Sequence, residues 1–126
     1  MIVIDTSIWI DFLKASEPVF SRMQGLLENG QVLAVECVFA ELMQGAREKR
    51  ERDIISEYWH NLPKYSMDGI FFKAGIESGR SKWLIKGVGL IDCAILMYAR
   101  ETKSQVWTLD KKLFSILTKK ERFHSA

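Results

Sequence analysis

Cysteine, histidine and proline are scarce, each present twice in 126 residues. Cys37 and Cys93 lie in apolar contexts without metal-type spacing, so buried free thiols are expected rather than a disulfide or a zinc site. His60 falls in a polar helix and His124 in the tail, and no serine or cysteine sits in a nucleophile elbow, which argues against nucleophilic triads. No glycine-rich phosphate loop appears. No Pro/Gly/Ser linker, repeat or low-complexity tract divides the chain, so residues 1–126 are read as one domain. The longest apolar run is too short for a bilayer and is interrupted by Asp92, and Ile2-Val3-Ile4 lacks the length and basic flank of a signal peptide. No membrane association is expected, and the free thiols suit a reducing cytoplasm. A formal charge of +2 is compatible with a nucleic-acid partner but selects none.

What remains is a chain 48% hydrophobic and 27% charged, the balance of a globular domain. Residues 1–5 read as a short buried strand, with Thr6 and Ser7 capping a helix that begins at Ile8. A helix from Pro18 to Glu28 and a strand at Val32–Val35 follow. Helical pattern then runs from Cys37 to Ala46, on through the charged stretch 47–53, and up to Pro63. Another helix is expected from Asp68 to about Gly87, then one around Asp92, a strand at Gln105–Leu109, and a short helix from Asp110 to Leu117. Buried strands alternating with helices predict an α/β fold with a mostly parallel sheet flanked by helices.

Aspartates stand where apolar runs end. Met1-Ile2-Val3-Ile4 leads into Asp5, and Val106-Trp107-Thr108-Leu109 leads into Asp110. Asp92 lies inside the most hydrophobic stretch, Val88 to Ala99. Desolvating a carboxylate costs several kcal/mol unless a cation or donors meet it. In open α/β sheets the ligand cleft lies outside the carboxyl ends of the strands, which is where Asp5 and Asp110 fall. Each acid also has a plainer reading: a turn for Asp5, a helix cap for Asp92 and Asp110. Together they describe an all-oxygen site suited to Mg²⁺ or Mn²⁺. Glu41 is not selected this way. Val38, Phe39, Leu42 and Met43 form one face of its helix, and Glu41 falls on the polar side.

Four segments resemble the motifs of PIN-domain nucleases: Ile2-Val3-Ile4-Asp5-Thr6-Ser7, Glu41-Leu42-Met43-Gln44-Gly45, Gly89-Leu90-Ile91-Asp92-Cys93-Ala94-Ile95-Leu96 and Val106-Trp107-Thr108-Leu109-Asp110. Their order and the chain length resemble the VapC toxins of toxin–antitoxin pairs. The resemblance implies a three-layer α/β/α PIN-like fold with a short, mostly parallel central sheet. It also implies an endoribonuclease in which metal-activated water cleaves RNA phosphodiesters, leaving a 5′-phosphate and a 3′-hydroxyl. Asp5, Asp92 and Asp110 would hold Mg²⁺ or Mn²⁺, Glu41 would help bind metal or orient water, and Thr6 and Thr108 would fix the carboxylates. A cognate antitoxin and a homodimer are implied as partners, with Trp9, Phe12 and Leu13 divided between core and contact surface. Many family members carry a further acid two residues after the fourth aspartate. Here that position is Lys112, which leaves four strong ligands and counts against a second firmly held metal. Arg80, Lys82, Lys86, Lys111 and Lys112 are candidates to track an RNA backbone. The competing readings are a non-cleaving PIN-like module that binds RNA or protein, and a Mg²⁺-dependent enzyme acting on small phosphate esters.

Overall fold

Ile2, Val3 and Ile4 present apolar side chains to both faces of the backbone, and such a segment is stable only where both faces are covered. In the computed structural model, which describes residues 1–124, they form the central strand, β1 (Ile2–Ile4). β2 (Val32–Leu33) and β3 (Gln105–Trp107) flank it in the order β2-β1-β3, all parallel. Register pairs Val3 with Leu33 on one side and Val106 on the other. Val3 and Ile4 are fully buried, each contributing about 1.5–3 kcal/mol of apolar transfer free energy.

Parallel strands need crossover connections, and helices supply them. The first crossover carries α1 (Thr6–Leu13) and α2 (Val19–Glu28). The second is longer, with α3 (Glu36–Gly45), α4 (Lys49–Asn61), α5 (Ile70–Ser81) and α6 (Leu90–Glu101). α7 (Lys111–Ile116) follows β3. Helices on both faces of the sheet make a three-layer α/β/α fold, as expected. Trp9 anchors one cluster, with edge-on contacts to Phe12 and Phe39 and a tilted one to Tyr58. Cys93 to Leu96 in α6 are fully buried, and α5 packs along α6. Trp9 and Phe12 are therefore core residues, while Leu13 stays exposed. No helix among the described residues is long and apolar enough to cross a membrane.

Several expected boundaries move. Thr6 and Ser7 do not cap α1; Asp5 occupies the cap position and the two hydroxyls lie in the first turn. The strand expected at Val32–Val35 is cut to two residues, because Ala34 bridges to Lys64 and Val35 already precedes α3. The continuous helix expected from 37 to 62 is broken at Ala46–Glu48, where Ala46 is extended. The apolar stripe of Val38, Phe39 and Leu42 and that of Ile55 and Tyr58 cannot both reach the core from one straight rod. α5 stops at Ser81, ahead of the expected Gly87, since Lys82 takes a left-handed conformation (φ 58°) and Trp83 folds inward. β3 ends at Trp107, two residues early. Unanticipated is a final 3₁₀ turn (Lys119–Glu121), tied to α6 by the Arg100–Glu121 ion pair at 2.7 Å, after which Arg122 bridges to Val106.

Candidate active site

The strand ends deliver Asp5 and Asp110 to one edge of the sheet. Asp5 is only 5% exposed, so its carboxylate must find donors inside the protein. Its Oδ2 accepts from Thr108 Oγ1 at 2.6 Å and from Ser7 Oγ at 3.0 Å. Both hydroxyl oxygens accept in turn: Thr108 Oγ1 from the Asp110 amide at 2.9 Å, Ser7 Oγ from the Leu109 amide at 3.1 Å. Two hydroxyls thus lace the end of β1 to the end of β3 across more than a hundred residues of sequence. Asp110 is the side-chain cap of α7, its Oδ1 accepting from the amides of Lys112 (2.7 Å) and Leu113 (3.2 Å). The helix-cap reading of Asp110 is correct as far as it goes, and it occupies one oxygen.

The other two acids ride on helices. Thr6 Oγ1 donates to Glu41 Oε1 at 2.7 Å, which turns Glu41 away from bulk solvent and leaves it half-buried. Periodicity alone placed it on a solvent face; its partner, 35 residues away in sequence, is invisible to periodicity. Asp92 lies in the first turn of α6, after the extended Gly89, and does not cap the helix. Among the described residues its carboxylate makes no hydrogen bond. Burial first, then the charges of Asp5, Asp110 and Glu41, push its pKa up to about 6. The nearby Cys37 thiol is pushed up to about 12 by burial, with Glu41 and Asp5 adding to it. It stays protonated and is no nucleophile.

Four carboxylates therefore feel one another, yet they have not closed on a single point. Among the described residues no three acid, imidazole or thiol side chains form a ready metal cage. Asp5, Asp110 and Glu41 each commit one oxygen to protein donors, so each carboxylate is oriented by its own partners. The donor set suits a hard divalent cation: oxygen throughout, with His60 and His124 exposed and hydrogen-bonded to none of the four.

Of the basic candidates, Lys111 and Lys112 open α7 directly after Asp110 and are exposed. The Lys112 side chain packs against Gly87, which takes a left-handed backbone (φ 81°). Lys82 and Lys86 lie in the exposed turn between α5 and α6. Arg80 is turned to Glu77 at 3.5 Å, and no hydrogen bond joins it to the acids. Ser7, expected as a helix cap, instead supports Asp5. Its signal was a hydroxyl two residues after a strand-end aspartate.

A model of the PIN domain family matches residues 2–119. The chain belongs to the PIN domain family. Across this PIN domain, relatives named Ribonuclease VapC32 from two strains of Mycobacterium tuberculosis are 29% identical over 117 residues, which is 90% of this chain and 87% of theirs.

Proposed function

We propose that this protein is a Mg²⁺-dependent endoribonuclease, with Mn²⁺ as an alternative ion, acting as the toxin of a toxin–antitoxin pair. The observation that carries the proposal is the gathering of four carboxylates, among them the half-buried Asp92, which has no hydrogen-bond donor among the described residues and feels the charges of Asp5, Asp110 and Glu41. The ribonuclease name of the Mycobacterium relatives and the PIN family match support the reaction class.

In this reading Asp5, Asp92 and Asp110 hold the ion, using the oxygens that Thr108, Ser7 and the α7 amides leave free. Mg²⁺, when bound, supplies Lewis acidity toward water and the phosphodiester oxygens. Thr6 fixes Glu41 by Oε1, so that Oε2 is positioned to help bind the ion or to orient the attacking water and take its proton. Thr108 holds two of the acids through one hydroxyl and sets the spacing between them. Lys111, Lys112, Lys82 and Lys86 draw the RNA backbone, and Arg80 joins them if Glu77 releases it.

The partner proposals rest on exposed apolar surface. A groove of about 650 Å³ beside Glu41 is lined by Ile10, Leu13 and Ile54, and a protein antitoxin covering it would also reach the site. Phe72, Ile76, Leu84 and Ile85 are 49–83% exposed, which suits a homodimer contact that light scattering can test.

The deciding experiment incubates a panel of single-stranded and structured RNAs with the purified protein in Mg²⁺, Mn²⁺ or EDTA, beside Asp92→Asn. Cleavage that requires metal and disappears in the variant is expected. Unimpaired cutting by Asp92→Asn would overturn the site assignment, and tight RNA binding without metal-dependent cutting would return the non-cleaving module.

A further inference from the structure

A second groove, of about 880 Å³, also starts at Glu41 and runs the other way, between α3 and the segment that leads into α5. Cys37, Ala40, Met67, Phe71 and Ile91 form its apolar part, with Met67 buried and Ile91, the neighbour of Asp92, exposed. Phe71 stands in it 40% exposed, outside the aromatic cluster built around Trp9. Its charged members are all acids: Glu36, Glu41 and Asp68. Gln44 offers an exposed amide, and Ser66 Oγ accepts from the Asp68 amide at 3.0 Å, leaving its hydroxyl proton to donate.

The opposite charge gathers on the surface just after Asp110 and in the turn just before α6. Lys82, Lys86, Lys111 and Lys112 are exposed there, and no cation lines the acidic groove. A phosphate is repelled from a pocket rimmed by three carboxylates. A neutral flat group with amino donors is not, because carboxylates and a glutamine oxygen accept from exocyclic amines while an aromatic ring stacks on the base.

We infer that the groove between α3 and the start of α5 is a subsite for an unpaired nucleobase bearing an exocyclic amine, stacked on Phe71 and read by Gln44 and Asp68. The inference rests on the ribonuclease reading and adds to it a direction: backbone on the lysine side, base on the acidic side. It predicts preference for the amine-bearing bases, cytosine and adenine among them, over uracil next to the scissile phosphate.

The test uses the full chain carrying Asp92→Asn, with fluorescein-labelled single-stranded hexamers of C, A or U in Mg²⁺, read by anisotropy. C and A should bind more tightly than U. Phe71→Ala should weaken C and A by at least about fivefold, the loss expected for one stacked base, and Phe71→Tyr should restore them. Asp68→Asn and Gln44→Ala should narrow the gap between C and U without loss of folding, since both side chains are exposed. Equal affinity for the three hexamers, or Phe71→Ala binding as the Asp92→Asn background does, overturns the subsite. Mapping the cuts made by the parent protein in a mixed RNA pool separates the two claims. Metal-dependent cuts whose flanking bases are random, and unchanged by Phe71→Ala, sink the subsite and keep the ribonuclease, leaving this groove to a protein partner. A parent that neither cuts nor binds RNA sinks both.

Discussion

The two strand-borne acids and the two helix-borne acids are held in opposite ways. Asp5 and Asp110 sit in a lattice of hydroxyl and amide donors that would keep its shape with or without a cation. Asp92 has no donor among the described residues and carries the repulsion of the other three, while Glu41 hangs from one threonine hydroxyl. A site built this way is half rigid template and half sprung. In the proposed reading the strand ends would define where a cation goes, and the helix acids would supply the unsatisfied charge that makes binding favourable.

The largest expected effect tests the sprung half. Asp92→Asn should lower RNA cleavage at least about a hundredfold, beyond the 10- to 100-fold typical for a residue that only supports a ligand, measured as initial rates in Mg²⁺. A tenfold loss or less would place Asp92 outside the metal's grip. Next comes the template. Thr108→Val removes a donor from a buried carboxylate and an acceptor from the Asp110 amide, and should cost about 1–3 kcal/mol in denaturant unfolding as well as activity. Thr108→Ser should recover most of both. If Thr108→Val is as stable as the parent, the lattice is not what fixes the strand-borne acids.

A smaller effect separates the halves by sign. The folded state raises the Asp92 pKa from 3.8 to about 6, so it favours the proton more than the unfolded chain does. The resulting penalty is absent below about pH 3.8, grows as pH rises, and is complete above about pH 6. In EDTA, Asp92→Asn should therefore be more stable than the parent at pH 7–8, by about 1 kcal/mol once the solvent reaching this half-buried group is allowed for. The gap should vanish near pH 4. A variant less stable than the parent at pH 8 would make Asp92 a structural residue. Smallest is Thr6→Val, expected to cost under about 1 kcal/mol because its bond to Glu41 is only part-buried, while lowering activity without changing the metal requirement.

The same division separates the residues that are legible in the sequence from those that are not. Asp5, Asp92 and Asp110 stand out because each interrupts or ends an apolar run, and burial of a lone acid is a local anomaly. The parallel sheet is legible for the same reason, since Ile2–Ile4 has no polar face to show to water. Glu41 and Ser7 are defined by partners distant in the chain or in another strand. Periodicity weighs a residue only against its own helix, so Glu41 looks solvated and Ser7 looks like a cap. The helix break at Ala46–Glu48 is hidden likewise, because charged residues fit a solvated helix and an extended linker equally well until two apolar stripes must meet one core. The groove holding Phe71 joins α3, α5 and α6, and nothing in a linear reading brings those three together.

The central claim, that the four acids form one divalent-cation site, is tested most directly by calorimetric titration of Mn²⁺ into metal-free parent protein and into Asp5→Asn and Asp92→Asn. Saturable binding to the parent is predicted, abolished or sharply weakened in both variants with the folded state intact. Equal binding by all three proteins, or none by the parent, would contradict it.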